Sequence, residues 1–294
     1  MAVGLALAAW SWAAHAQVFR STVDLVSLGV TVLDKQGQFV TDLSQGDFEI
    51  LEDGRPQSVS YFARGDTEPA PDLHVGLLLD TSSSMETEID FSRSAAIKFL
   101  NALPHAEDIT LVDFDTEVRV ARYGPNDFAR LVERIRRRKP DGNTAIHDAL
   151  GVYLDGAVGL EGRKVFVLFT DGMDTGSALR YDEALDLLKA ADVTMYAVGL
   201  FTSPSAARGV EQRLRLQQMS ESTGGQAFFP SGVKDLDANY EKVVAEIRAQ
   251  YSIGYLSTNA ATDGSWRKLE IKVKRPGVKT RSRKGYFAPY RKRP

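Results

Sequence analysis

The chain has no cysteine among its 294 residues. That absence excludes disulfide bonds, a thiol nucleophile, thiolate-zinc centres and a lipid anchor on an N-terminal cysteine. It leaves the compartment open. Charge of one sign is not in excess either. A net charge of −3 gives no general reason to expect nucleic acid or an anionic membrane as partner. Long apolar runs are missing after the first residues, so no later stretch is fit to span a bilayer. Internal repeats and low-complexity tracts are also absent.

What is present belongs to a folded chain. Hydrophobic residues make up 43% and charged residues 26%, and at about 150 residues per domain the length suggests two units. Basic residues dominate from Arg267 onward; they read as solvated strand faces and a tail, in preference to a surface for an acidic partner. The opening "MAVGLALAAWSWAAHA" is a short apolar run closed by Ala14 and Ala16. That pattern predicts a signal peptide over residues 1–16, cleavage after Ala16, and export to the periplasm or beyond. No Lys or Arg precedes the run, which departs from the usual pattern and keeps a buried N-terminal helix as the alternative.

Residues 17–64 alternate apolar and polar positions, as in half-buried strands: Val26, Leu28, Val30 and Val32 share one face. Phe48 and Ile50 before Asp53-Gly54, with Val59 and Tyr61 after it, predict a hairpin. The charged, proline-containing residues 65–73 read as a linker. The Arg64-Gly65-Asp66 triplet where it begins is too short a match to carry a ligand reading. From His74 to Gln250 the chain alternates fully apolar strands ("HVGLLLD", "KVFVLFTDG") with amphipathic helices. This predicts an α/β fold with a doubly wound, mainly parallel sheet covered by helices on both faces. Residues 251–294 return to period two, with Leu269, Ile271 and Val273 interleaved by charge. Neither flank is large enough for a stable sheet alone. Together they are expected to form one small β-rich module around the inserted α/β domain.

Asp80 and Asp171 stand at the carboxyl ends of the two most apolar strands, where ligands bind in open parallel sheets. Ser82 and Ser84 follow Asp80 at alternate positions, and Thr144 opens a helix after a Gly-containing loop. Two carboxylates and three hydroxyls could thus share one rim. Such a set is hard oxygen throughout, which suits Mg²⁺ better than Zn²⁺, with Mn²⁺ or Ca²⁺ as alternatives. The competing interpretation is that Asp80 and the serines only cap the next helix. Asp113, Asp115 and Asp174 are candidate second-layer acids, with turn and loop roles as the plainer interpretation. His147, one turn after Thr144, reads as a structural histidine.

The D-x-S-x-S segment Asp80–Ser84, Thr144 and the Asp171 of "FTDG" resemble the metal-ion-dependent adhesion site of von Willebrand factor A-type domains. The resemblance covers residues 74–249, and the flanking "YSIGY", "KVKRPG" and "RKGYFAP" resemble an exported bacterial subgroup. It implies that Ser82, Ser84 and Thr144 touch the metal through hydroxyls. Asp80 and Asp171 would reach it directly or through water, and an Asp or Glu of a protein partner would complete the shell. The expectation is an exported protein-binding module for adhesion or assembly, with no catalysis. Two alternatives stand beside it. One is a metal-dependent hydrolase of phosphoesterase type on the same rim, which would need a free acid-base group near the metal. The other is an envelope assembly subunit with an unused site.

Overall fold

The computed structural model describes residues 25–65, 70–103, 106–171, 173–201 and 207–290. The expected signal peptide, the middle of the expected linker and the last residues of the tail lie outside these.

The chain begins with β1 (Leu25–Leu33), β2 (Phe48–Glu52), β3 (Arg55–Gln57) and β4 (Val59–Arg64). It then enters the α/β unit: β5 (Leu73–Asp80), α1 (Ile89–Asn101), β6 (Asp108–Phe114), β7 (Val118–Tyr123), α2 (Phe128–Arg137), α3 (Ile146–Ala157), β8 (Arg163–Thr170), α4 (Tyr181–Ala190), β9 (Thr194–Gly199), α5 (Ala207–Ser222), β10 (Gln226–Phe228) and α6 (Val233–Ala249). It closes with β11 (Tyr251–Leu256), β12 (Trp266–Val273), β13 (Lys279–Arg281) and β14 (Gly285–Phe287).

The central sheet has six strands in the order β10-β9-β8-β5-β6-β7. All its pairings are parallel except the tight β6–β7 hairpin. Because both faces are covered, β5 and β8 are apolar through their middles, over Val75–Leu79 and Val165–Phe169, as expected for strand interiors shielded from water. Leu77, Leu79, Val165 and Val167 pack toward Phe99 of α1 and Val243 of α6. Leu78, Phe166 and Leu168 pack on the other side with Leu150 of α3 and Leu188 of α4. Gly76 sits where a Cβ would lie 2.3 Å from the Tyr153 ring, so its missing side chain is what lets α3 settle on β5.

The flanks combine as their size requires. One four-stranded sheet runs β13-β1-β11-β4 and another β14-β12-β2-β3, so each draws two strands from either end of the chain. Val30, Ile50, Ile253, Tyr251 and Leu269 fill the space between them. The hairpin expectation needs one correction. The Asp53-Gly54 turn does reverse the chain, with Asp53 at φ 49° and Gly54 at φ 78°, but across that turn β2 meets the short β3, and its other edge is taken by β12. Val59 and Tyr61 belong to β4, which crosses to the other sheet and pairs with β11. Phe62 and Tyr251 pack there against Phe48, and that burial outweighs extending the hairpin.

Candidate metal centre

The rim of interest lies at the carboxyl ends of β5 and β8. The β5 strand delivers Asp80 into a fully buried position, 0% exposed. Its Oδ2 accepts a 2.6 Å hydrogen bond from Thr170 Oγ1 at the end of β8. Its Oδ1 accepts the Ser82 amide at 2.9 Å. Burial pushes the Asp80 carboxyl up to about 6, against the pull of the Ser82 and Thr170 donors. Asp171 is also raised, by burial first; the Ser84 hydroxyl opposes this and the Glu88 charge adds to it.

The serines settle one question about the rim. Ser82 precedes the 3₁₀ turn Ser83–Thr87 and Glu88 precedes α1, yet neither makes a side-chain cap bond. The hydroxyls point elsewhere. Ser82 Oγ lies 3.1 Å from Ser84 Oγ, and Ser84 Oγ donates to Asp171 Oδ1 at 2.9 Å. A chain of oxygens therefore runs from one strand end to the next, and helix capping does not account for it.

Thr144 is buried beside them on a segment tied down along its length. Asp141 N donates to Thr81 O at 2.9 Å, Ser83 N to Gly142 O at 3.1 Å and Ala145 N to Asp115 O at 3.0 Å. Asn143 N donates to Thr116 Oγ1 at 2.8 Å. Gly142 has φ +70° and lies so close to Thr116 that a Cβ would meet its Oγ1 at 2.4 Å. The Thr144 amide donates to Thr175 Oγ1 at 3.0 Å. Its carbonyl accepts the Thr175 and Gly176 amides at 2.8 and 2.9 Å. The hydroxyl has no hydrogen-bond partner among the described residues.

Three further acids flank this arrangement in different ways. Asp113 and Asp115 face arginines. Arg119 lies 2.7 Å from Asp113, Arg134 lies 2.7 Å from Asp113, and Arg138 lies 3.2 Å from Asp115. Burial pushes Asp115 upward, but Arg119, the Glu117 amide and Arg138 outweigh it and hold the carboxyl below its ordinary range. Asp174 receives the His147 amide at 3.0 Å and the Ser177 amide at 3.2 Å, at the start of α3. The His147 ring is buried, with Nδ1 3.1 Å from Leu179 O. Thr170, Thr175, Thr116 and the three arginines were invisible to motif reading. Only Thr170 carried a local signal, as the hydroxyl residue before Asp171.

The donor set fits a small hard cation. Mg²⁺ holds oxygens at 2.0–2.1 Å, which places neighbouring ligands of an octahedron about 2.9 Å apart. The Ser82–Ser84 and Ser84–Asp171 separations already lie near that value. A cation would thus replace O–H···O contacts with metal–oxygen contacts at little cost in backbone motion. Among the described residues no three His, Asp or Glu side chains converge, so any cation here depends on the hydroxyls.

A doubly wound sheet with an oxygen rim at its strand ends defines the class, and comparison with known proteins defines the family. The family model for the von Willebrand factor type A domain matches residues 74–245, more than half of the chain, and the chain belongs to that family. Among solved structures it is similar to the PilB minor pilin from Streptococcus sanguinis, at 14% identity and a TM-score of 0.50. That match covers 62% of this chain and 63% of the pilin, so the chain spans less than two-thirds of that protein's length. It is also similar to the pilus adhesin SpaC from Lactobacillus rhamnosus GG, at 10% identity and a TM-score of 0.51, covering 83% of this chain and 48% of that one. At such identities the likeness is one of fold. No curated protein matches the chain.

Proposed function

We propose that the rim binds Mg²⁺ and uses it to capture an Asp or Glu side chain of a protein partner. Ser82, Ser84 and Thr144 supply neutral oxygens, while Asp80 and Asp171 supply the negative charge. A cation held by few carboxylates keeps its attraction for an incoming one. The observation that carries this reading is the run of oxygens from Ser82 through Ser84 to Asp171, which no helix cap uses. Asp113 and Asp115 act one layer out: they hold the hairpin whose Asp115 carbonyl anchors the residue after Thr144. Asp174 does the same for the start of α3.

Binding is favoured over hydrolysis because, among the described residues, the one histidine near the rim, His147, is buried with its Nδ1 against Leu179 O. A ring buried in that way is poorly placed to take a proton from an attacking water. The protein would act as an adhesion or assembly module after export. The pilin and adhesin likenesses and the apolar N-terminal run support that setting. Among the described residues no helix is long and apolar enough to cross a membrane.

Calorimetric titration with Mg²⁺ tests the reading. The wild type should bind one ion, and Asp80→Ala should abolish binding while its far-UV circular dichroism is unchanged. Equal affinities in the two proteins would sink the proposal.

A further inference from the structure

The groove between α1 and α2 contains charge that the metal rim does not use. Arg93, one turn into α1, has a side chain only 13% exposed, and its Nη1 lies 3.2 Å from Asp90. Its Nε and Nη2 are buried and have no hydrogen-bond partner among the described residues. A guanidinium in that condition loses hydration without regaining it from protein acceptors, which is costly. Asp90 is 94% exposed, so its hold on Arg93 is weak.

The facing helix end is basic. Residues 134–139 read Arg-Ile-Arg-Arg-Arg-Lys. Arg134 and Arg138 are spent on Asp113 and Asp115, and Arg137 lies 3.6 Å from Glu133. Arg136 is exposed and has no ion-pair partner among the described residues. Arg93 and Arg136 line one groove of about 460 Å³ with Asp90, Ser94 and Ile97. Both sides of the groove connect to the metal rim through short stretches of chain. Arg93 lies about 6 Å along α1 from its first residue, and α1 follows the Ser83–Thr87 turn. Arg136 is six residues before Gly142, whose carbonyl accepts the Ser83 amide.

We propose that this groove is an anion subsite, in which Arg93 and Arg136 together take a carboxylate from an acidic segment of the partner. Entry of the carboxylate turns the Arg93 guanidinium from Asp90 toward the groove and supplies the acceptors that Nε and Nη2 lack. The partner is then a protein segment with at least two acids, one for the groove and one for the metal. Only that pairing rests on the metal reading; the groove itself does not.

Hexaglutamate is the probe, titrated into the full chain at low salt, once with Mg²⁺ and once with EDTA. In EDTA the wild type should still bind it. Arg136→Ala and Arg93→Ala should each weaken binding by about fivefold or more, while Arg130→Ala, an exposed arginine on the same helix, should change it by less than about twofold. Arg136 is exposed, so its variant keeps the test valid if Arg93→Ala fails to fold. Mg²⁺ should tighten binding further, and Asp80→Ala should remove only that gain. If Mg²⁺ adds nothing while the arginine variants still weaken binding, the metal reading fails and the groove stands. Unchanged affinity in both arginine variants overturns the groove. So does a groove that binds inorganic phosphate but not hexaglutamate.

Discussion

Glu246 of α6 and Arg281 of β13 form an ion pair across the junction between the α/β domain and the β-rich module. Thr31 Oγ1 of β1 adds a 3.0 Å hydrogen bond to Glu246 Oε1, and Arg281 also reaches Gln226 Oε1 of β10 at 2.6 Å. The Glu246 side chain is almost fully buried, so its charge is tolerable only while the β module is docked. Glu246→Ala in the full chain should therefore cost about 3 kcal/mol, because it leaves Arg281 without its partner. The isolated segment 74–250 should respond in the opposite sense and gain stability from Glu246→Leu. Urea unfolding of both forms checks the pair; the same sign in both would show that the contact does not join the modules.

Asp115 offers a test of how Thr144 is held. Its side chain is gripped by Arg119 and Arg138, and its carbonyl accepts the Ala145 amide. Asp115→Asn should loosen that grip and weaken Mg²⁺ binding by about tenfold, as expected for groups that orient metal ligands. Combined with Thr144→Ala, it should add little further loss, since both act through one ligand. Full additivity in calorimetry would show that Asp115 stabilises the fold without positioning Thr144.

Glu52 pins the two sheets of the β module. The Tyr255 and Tyr286 hydroxyls donate to its Oε2 at 2.7 and 2.9 Å, and Ser257 Oγ donates to its Oε1 at 2.7 Å. Tyr255 comes from the opposite sheet. Glu52→Ala strands two buried donors and the half-buried Ser257 and should cost about 3 kcal/mol, whereas Tyr255→Phe should cost about 1 kcal/mol. Equal costs in denaturant titrations would mean that the carboxylate is not the centre of the network.

Alkaline pH should weaken the fold in a defined window. Burial holds the Tyr153 phenol above its ordinary range, with the Asp108 charge adding to it, and burial does the same for Tyr196, with Glu246 adding. A raised value in the folded state means that the stabilisation is complete below the unfolded value of about 10 and is lost as pH rises above it. These two groups alone predict a fall of roughly 3 kcal/mol per pH unit there. Urea midpoints measured from pH 8 to 11.5 should stay flat and then drop. Phenolate absorbance from both residues should appear only on unfolding.

The amino-acid sequence by itself determined the α/β unit. The runs Val75–Leu79 and Val165–Phe169 are apolar on consecutive positions, and at that length, between polar residues, they read as strands covered on both faces. It also placed Asp80 and Asp171 at equivalent strand ends, because the end of an apolar run marks where the sheet meets solvent. The β-rich module was legible as composition but not as topology. Period two assigns a face to Val59 and Tyr61, yet nothing local says which sheet β4 joins. That choice was made by Tyr251 packing on both Phe48 and Phe62, which lie about two hundred positions before it in the chain. Likewise, no spacing rule links Thr170 to Asp80, Arg138 to Asp115, or Arg93 to Arg136. Their encounters depend on how separate strands and helices are layered, and layering is decided by long-range burial that local pattern does not encode.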